Sequence, residues 1–268
     1  MSLIIIGLIG LLGWIVFRTL AGPADYAKFD GRIYGTHYRI TYLKGPDVAT
    51  VQAAVMDELD RIDQMASNWI DDSEIMRYQR SPDRENFPLS QELATLLDRA
   101  EQIKTQTGGA FDVAYKPGEI DLSAIAKGYA VDRITDLLTE DFAIASCMVD
   151  IGGEIKVRGP SPRGDHWAIG VYAATEEKDF RLPEVHLRDS SIATSGTSFH
   201  GKPLIDPASG RTAESALVSV SVIHPSNTTA DALATALFVM GPEKGLSWAQ
   251  KHGVQAKFVL ADGRILQP

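Results

Sequence analysis

The run "TADALATALFVMG", Thr229–Gly241, is apolar after its first residue except at two positions, Asp231 and Thr235. Four residues apart, they share one face of a helix. Asp231 alone could complement a helix dipole, and Thr235 alone could bond a carbonyl one turn earlier. Neither reading explains why both point the same way. Carboxylate and hydroxyl oxygens together are hard ligands of the kind Mg²⁺ accepts.

A second polar group needs explaining. Lys127 follows Asp121 by six residues, early in an expected helix. An ammonium beside a helix N-terminus makes an anion site, and a solvated lysine paired with a nearby acid is the plain alternative. Five short segments concentrate glycine with polar residues: Gly108–Asp112, Ile120–Gly128, Val149–Gly159, Ala193–Gly196 and Leu204–Arg211. Taken singly, each needs no more than turn and capping chemistry. The usual phosphate signatures, G-x-x-x-x-G-K-[ST] and G-x-G-x-x-G after a strand, are missing. "TSGTS" around Ser195 is not a nucleophile elbow, and His200 and Asp206 nearby in sequence are weak support for a triad.

The elements that must position these residues follow from periodicity. "RIYGTHYRITYL" alternates as a strand. Val48, Val51, Val55, Leu59, Ile62 and Met65 recur at helical spacing. A second helix starts at an N-cap Ser90 and ends at Gly108-Gly109; a third covers "SAIAKGYAVDRITDLLTE", capped by Ser123. Strands are expected at "CMVDIGGEIKVRG", turning on its glycines, at "HWAIGVYAA" and at "ALVSVSVIHP". Helices at Thr229–Gly241 and Pro242–Gly253 and a hairpin turning at Asp262-Gly263 close the chain. Helices and strands come in blocks, which predicts an α+β single domain over 32–268 after a linker at 22–31.

With 268 residues and net charge −9, the chain lacks the basic surface that nucleic acid requires, so no nucleic-acid partner is expected. Its one cysteine, Cys147, sits among apolar residues and reads as buried filler. Leu3–Phe17 is an apolar run followed by Arg18. Residues 1–21 read as an uncleaved hydrophobic membrane anchor, with a cleaved signal segment as the alternative. The domain is then expected at the inner (cytoplasmic) membrane, facing the periplasm; Arg18 on the far flank leaves the orientation open.

Taken in order, "YGTHYRI", "NWIDDSE", "GGAFDV", "IDLSAIAKGYAVD", "VDIGGEIKVRG", "IATSG", "IDPASGR" and "SVSVIHPSNTTADALATALFVMG" resemble the FAD:protein FMN transferase (ApbE) family, in a shortened variant. The resemblance implies an α+β fold of the T-fold type that binds FAD as substrate with Mg²⁺. It implies transfer of FMN onto a threonine or serine of a client protein, with release of AMP. Carried over, the metal ligands are Asp231, Thr235 and the backbone carbonyl of Ala124. The FAD contacts fall on Tyr34, Ala110, Phe111, Asp112, Asp121, Lys127 and Ile205, with Trp69 beside the flavin or adenine ring. Tyr34 stands where the family usually has methionine. Only "VAYKPGE" separates "GAFD" from "IDLS", where the family has several tens of residues. Leu204 stands where the family has a histidine assigned as the base that activates the client hydroxyl. His200, four residues upstream, is the candidate replacement, or else an ordinary surface histidine. An FAD pyrophosphatase giving FMN and AMP, or a non-catalytic FAD-binding protein, are the alternative functions; a serine hydrolase using Ser195 is a weaker one.

Overall fold

The computed structural model describes residues 25–174, 179–196, 204–213 and 215–268. The expected anchor (1–21) and His200 lie outside them. The described residues form a mixed α/β domain around one eight-stranded antiparallel sheet. Its order runs β1 (Tyr26–Ile33), β2 (Thr36–Leu43), β3 (Cys147–Ile151), β4 (Glu154–Arg158), β9 (Ser190–Gly196), β12 (Leu217–His224), β13 (Gln255–Leu260) and β14 (Ile265–Leu266). Five helices pack on it: α1 (Val48–Ala66), α2 (Glu74–Arg80), α3 (Gln91–Gln106), α4 (Ala126–Asp136) and α5 (Asn227–His252).

The alternation of β4 shows how the sheet sorts its two faces. Glu154 and Lys156 pair with residues of α4, while Ile155 and Val157 pack on the opposite side. There a smaller core gathers Trp167, Ile169, Val185 and Leu187, from the short pair β5 (Trp167–Ile169) and β8 (Val185–Leu187), against Val157, Ile192, Val218 and Val259. The main core lies under the helices. The apolar stripe Val51, Val55, Leu59, Ile62 and Met65 of α1 is buried, as its spacing predicts, and so are Leu93, Leu96 and Ile103 of α3, capped by Ser90.

Several expectations change. The linker at 22–31 is shorter than expected, because Tyr26–Gly31 already belong to β1. The strand expected across Arg32–Leu43 is instead the end of β1, a two-residue turn and β2, with Ile33 paired to Thr36. Tyr34 and Gly35 both take positive φ there, 52° and 72°, the pattern of a hairpin turn matched to strand twist. "HWAIGVYAA" breaks into β5 and β6 (Tyr172–Ala174). Ser123 does not cap α4: its N–H and hydroxyl both go to Asp121, and α4 starts at Ala126 without a side-chain cap. Asp231 is no first-turn acid, because α5 begins at Asn227. Its two predicted halves meet at Gly241, whose φ of 76° breaks the helix ahead of Pro242.

Candidate active site

The site begins with a close approach of α4 and α5. A Cβ added to Gly128 would lie 2.5 Å from the Asn227 carbonyl oxygen and 2.8 Å from the Asp231 Cβ. Only a glycine lets the helices meet there. In return the Gly128 N–H donates to Asp231 Oδ2 at 3.0 Å. In an uninterrupted helix that N–H would reach the carbonyl of Ala124, one turn back. The neighbouring bonds, from Ala126 to the Leu122 carbonyl and from Tyr129 to the Ile125 carbonyl, pass Ala124 by. Among the described residues its carbonyl accepts no backbone hydrogen bond and keeps both lone pairs.

Charge gathers at the same place. Lys127 Nζ lies 3.0 Å from Glu154 Oε1, with Glu154 almost wholly buried and Lys127 mostly so. Among the described residues Glu154 Oε2 has no hydrogen-bond partner. Burial and the nearby Asp231 charge raise the Glu154 carboxyl well above its ordinary value, against the pull of Lys127. Burial likewise raises Asp231, opposed by Lys127 and the Gly128 N–H. With both carboxyls ionised the cluster carries one net negative charge inside the protein, which is costly unless a cation joins it. One turn beyond Asp231, Thr235 Oγ1 meets Ser195 Oγ of β9 at 2.9 Å. The carbonyl of Ala124, the carboxylate of Asp231 and the hydroxyl of Thr235 are a donor set that suits a hard divalent ion.

A second buried carboxylate fixes this frame. Asp132 of α4 accepts hydrogen bonds from Lys156 Nζ at 2.7 Å, from the Asn227 and Thr228 N–H groups at 2.9 Å each, and from the Ser226 and Thr228 hydroxyls. It thus caps the start of α5 from a neighbouring helix. The Asn227 amide adds bonds to the Ile155 and Ile192 carbonyls.

The other candidates divide. The short segment between Asp112 and Asp121 closes on itself, with the Asp121 N–H on the Val113 carbonyl at 2.7 Å. Asn68 holds it by bonds to the Ile120 carbonyl and from the Leu122 N–H, Gln79 by two bonds to Ile120, and Arg84 by a bond to the Gly118 carbonyl. Trp69, next in sequence to Asn68, is exposed. Asp112 is tied to Lys104 at 2.9 Å. Phe111 is a core residue whose N–H donates to Thr107 Oγ1 at 3.3 Å, so the expected FAD contact does not fall on its buried side chain, and Ala110 is half-buried. The Tyr34 hydroxyl donates to the Leu59 carbonyl of α1 at 2.7 Å, which leaves one face of the hairpin turn rather than a free phenol. Ile205 lies in a separate two-residue pairing with Thr212, and among the described residues no hydrogen bond joins it to Lys127 or Asp231. Asp206 caps its own turn through Ala208 and Ser209, and Ser195 faces Thr235, so nothing described here assembles a triad. Cys147 is buried with its thiol pushed up to about 12, in keeping with filler.

Sequence reasoning did not single out Glu154, Asp132, Asn68, Gln79 or Arg84, because a buried carboxylate or clamp reads as a surface polar residue until its neighbours are known.

A family model described as the ApbE family matches residues 34–119 and 116–258. The chain belongs to the ApbE family. The match splits at residues 116–119, inside the short segment held by Asn68, Gln79 and Arg84. An FAD:protein FMN transferase of Vibrio cholerae serotype O1 is 27% identical over 311 residues, covering 94% of this chain and 93% of the relative. That alignment is longer than the chain itself, so the relative carries residues that this ApbE protein lacks. An FAD:protein FMN transferase of Escherichia coli K12 is 26% identical, covering 89% of this chain and 85% of its own. Among solved structures, flavin transferase ApbE from Vibrio cholerae superposes with a TM-score of 0.83 at 27% identity, covering 91% of this chain and 97% of that one. The apo form of Pseudomonas stutzeri flavinyl transferase ApbE gives 0.81 at 27% identity, covering 91% and 94%. The ApbE architecture is therefore the fold of this chain.

Proposed function

We propose that this ApbE-family chain transfers FMN from FAD onto a threonine or serine hydroxyl of a client protein, releasing AMP. The relatives' names support the reaction type. The observation that carries the site is the Gly128–Asp231 hydrogen bond, which frees the Ala124 carbonyl beside two buried carboxyls that share one lysine. Asp231, Thr235 and the Ala124 carbonyl would hold a divalent cation, Mg²⁺ in this reading. Bound there, it would supply charge neutralisation on the FAD diphosphate and on the departing phosphate.

The chain's own groups do the rest. The client hydroxyl oxygen bonds to the phosphorus on the FMN side, and the bond from that phosphorus to the bridging oxygen breaks. AMP leaves with that oxygen, and the hydroxyl proton passes to a base, for which His200 is the candidate. Lys127, held by Glu154, keeps an ammonium beside Asp231, and burial does not discharge it because the acid neighbours keep its proton. Asp112, Asp121 and the Ala110–Phe111 backbone bound the other end of the FAD site, with Tyr34 and Ile205 as outer contacts and Trp69 offering an aromatic face for stacking.

Leu204 in place of the family histidine favours a second reading, in which water replaces the client hydroxyl and FAD is hydrolysed to FMN and AMP. The apolar run Leu3–Phe17 would keep the domain at the periplasmic face of the inner membrane. Among the described residues no helix is long and apolar enough to cross a membrane, so any anchoring would fall to that run.

The full chain, FAD, Mg²⁺ and a client domain bearing an acceptor threonine form the test. We expect covalent flavin on the client, lost in Asp231→Ala with the fold kept by circular dichroism. Free FMN and AMP without client would favour hydrolysis, and recovery of intact FAD would favour a binding protein. Equal transfer with and without a chelator would sink the cation reading.

A further inference from the structure

We infer that Ser195 is a positioning residue of the cation site: of the two possible directions of its bond to Thr235, its Oγ accepts the hydrogen bond from the Thr235 hydroxyl and thereby turns a Thr235 lone pair toward the ion. The inference rests on the cation reading above. A threonine hydroxyl has one proton and two lone pairs. To ligate a cation as a neutral group it must present a lone pair, and its proton must find an acceptor elsewhere. A threonine inside a helix by default donates to the carbonyl one turn back. Here the partner of Thr235 Oγ1 is Ser195 Oγ, at 2.9 Å, from a different element.

The Ser195 side is fixed. It lies in β9 at the middle of the sheet, opposite Val220 of β12, on the helix-facing side it shares with the core residue Ala193. It is buried, and among the described residues its hydroxyl meets Thr235. On the adjacent residue, Thr194 Oγ1 meets Ser221 Oγ at 2.8 Å, so each of these two consecutive hydroxyls is held by a single neighbouring hydroxyl. Outer partners that orient a metal ligand typically change affinity by 10- to 100-fold when removed. A merely structural hydroxyl pair would change stability with or without cation and leave affinity alone.

The experiment uses the full chain with Mn²⁺ as the spectroscopic probe. Binding is read by electron paramagnetic resonance with and without FAD, and Mg²⁺ is read by competition. Ser195→Ala is expected to weaken Mn²⁺ about 10- to 100-fold. In a Thr235→Ala background the same change is expected to have no further effect, because Ser195 acts only through Thr235. Ser195→Cys, with a poorer acceptor, should fall between wild type and Ser195→Ala, and keeps the test decisive if the alanine variant does not fold. Wild-type affinity in both Ser195 variants, or losses that add in the double variant, overturn the inference while leaving the cation reading intact. A wild-type protein that binds no stoichiometric Mn²⁺ withdraws both.

Discussion

At Lys127 a single ammonium stands between two buried carboxylates, and this sets opposite outcomes for its neighbours. Removing one partner of a buried pair strands the other charge, at a cost of about 3–5 kcal/mol. Lys127→Ala should therefore lower the melting temperature of the cation-free protein by on the order of 10 °C for a domain this size. Asp231→Asn removes the surplus negative charge and should leave that temperature unchanged or higher, while cation binding is lost. Thermal melts in chelator read both signs at once. A drop in stability for Asp231→Asn as large as that for Lys127→Ala would show that Asp231 is a structural group. The pairing of Lys127 with an acid was foreseeable from "DLSAIAKG"; the identity of that acid, 27 residues on in a strand, was not.

At the scale of elements, the site is made by how α4 meets α5. Gly128→Ala would force a Cβ into the Asn227 carbonyl, which belongs to the backbone and cannot swing aside. Overpacking of this kind costs about 1–3 kcal/mol and would displace Asp231 from its bond to residue 128. We expect weaker cation binding by calorimetry, whereas Gly45→Ala, with nothing within 4 Å, should be silent. Asp132 clamps the same junction. Burial opposes its charge, but Lys156 and the α5 N–H groups prevail and hold its carboxyl below the ordinary 3.8. Because the folded state then binds fewer protons than the unfolded one, this stabilisation is present above 3.8 and is lost as pH falls through the folded value. Asp132→Asn should cost about 1.5–3 kcal/mol at neutral pH. Its denaturant midpoint should converge with that of wild type as acid is added. Parallel curves down to low pH would show that the carboxylate charge is not what holds α5.

At the scale of the whole molecule, two cores share one sheet. Val220 and Val222 of β12 face the main core, and Val218 of the same strand faces the smaller one, with a bulge between Leu217 and Ser219 resetting the alternation. A strand common to both cores should make them unfold together. Near-ultraviolet and far-ultraviolet circular dichroism should give coincident thermal curves, with calorimetric and van't Hoff enthalpies in agreement. A separate early transition would mean that the β5–β8 layer opens alone. The short segment between Asp112 and Asp121 belongs to this scale as well: it is a turn pinned by Asn68, Gln79 and Arg84 from elsewhere in the chain.

Periodicity and caps were enough to find α1, α3 and the closing hairpin, because local spacing alone decides which face of such an element is apolar. The same local logic put Asp231 and Thr235 on one face of α5. It erred at Ser123 and at the start of β1, where an alternative hydrogen bond and pairing with the next strand across a two-residue turn overrode the local signal. What only the tertiary structure decided is the company those residues keep. The diverted Gly128 N–H, the free Ala124 carbonyl, the lone oxygen of Glu154 and the Ser195 hydroxyl behind Thr235 all arise from contacts between chain segments far apart in sequence. Residue order specifies which groups exist, but desolvation and hydrogen-bond competition, which set what those groups can do, depend on distance in space.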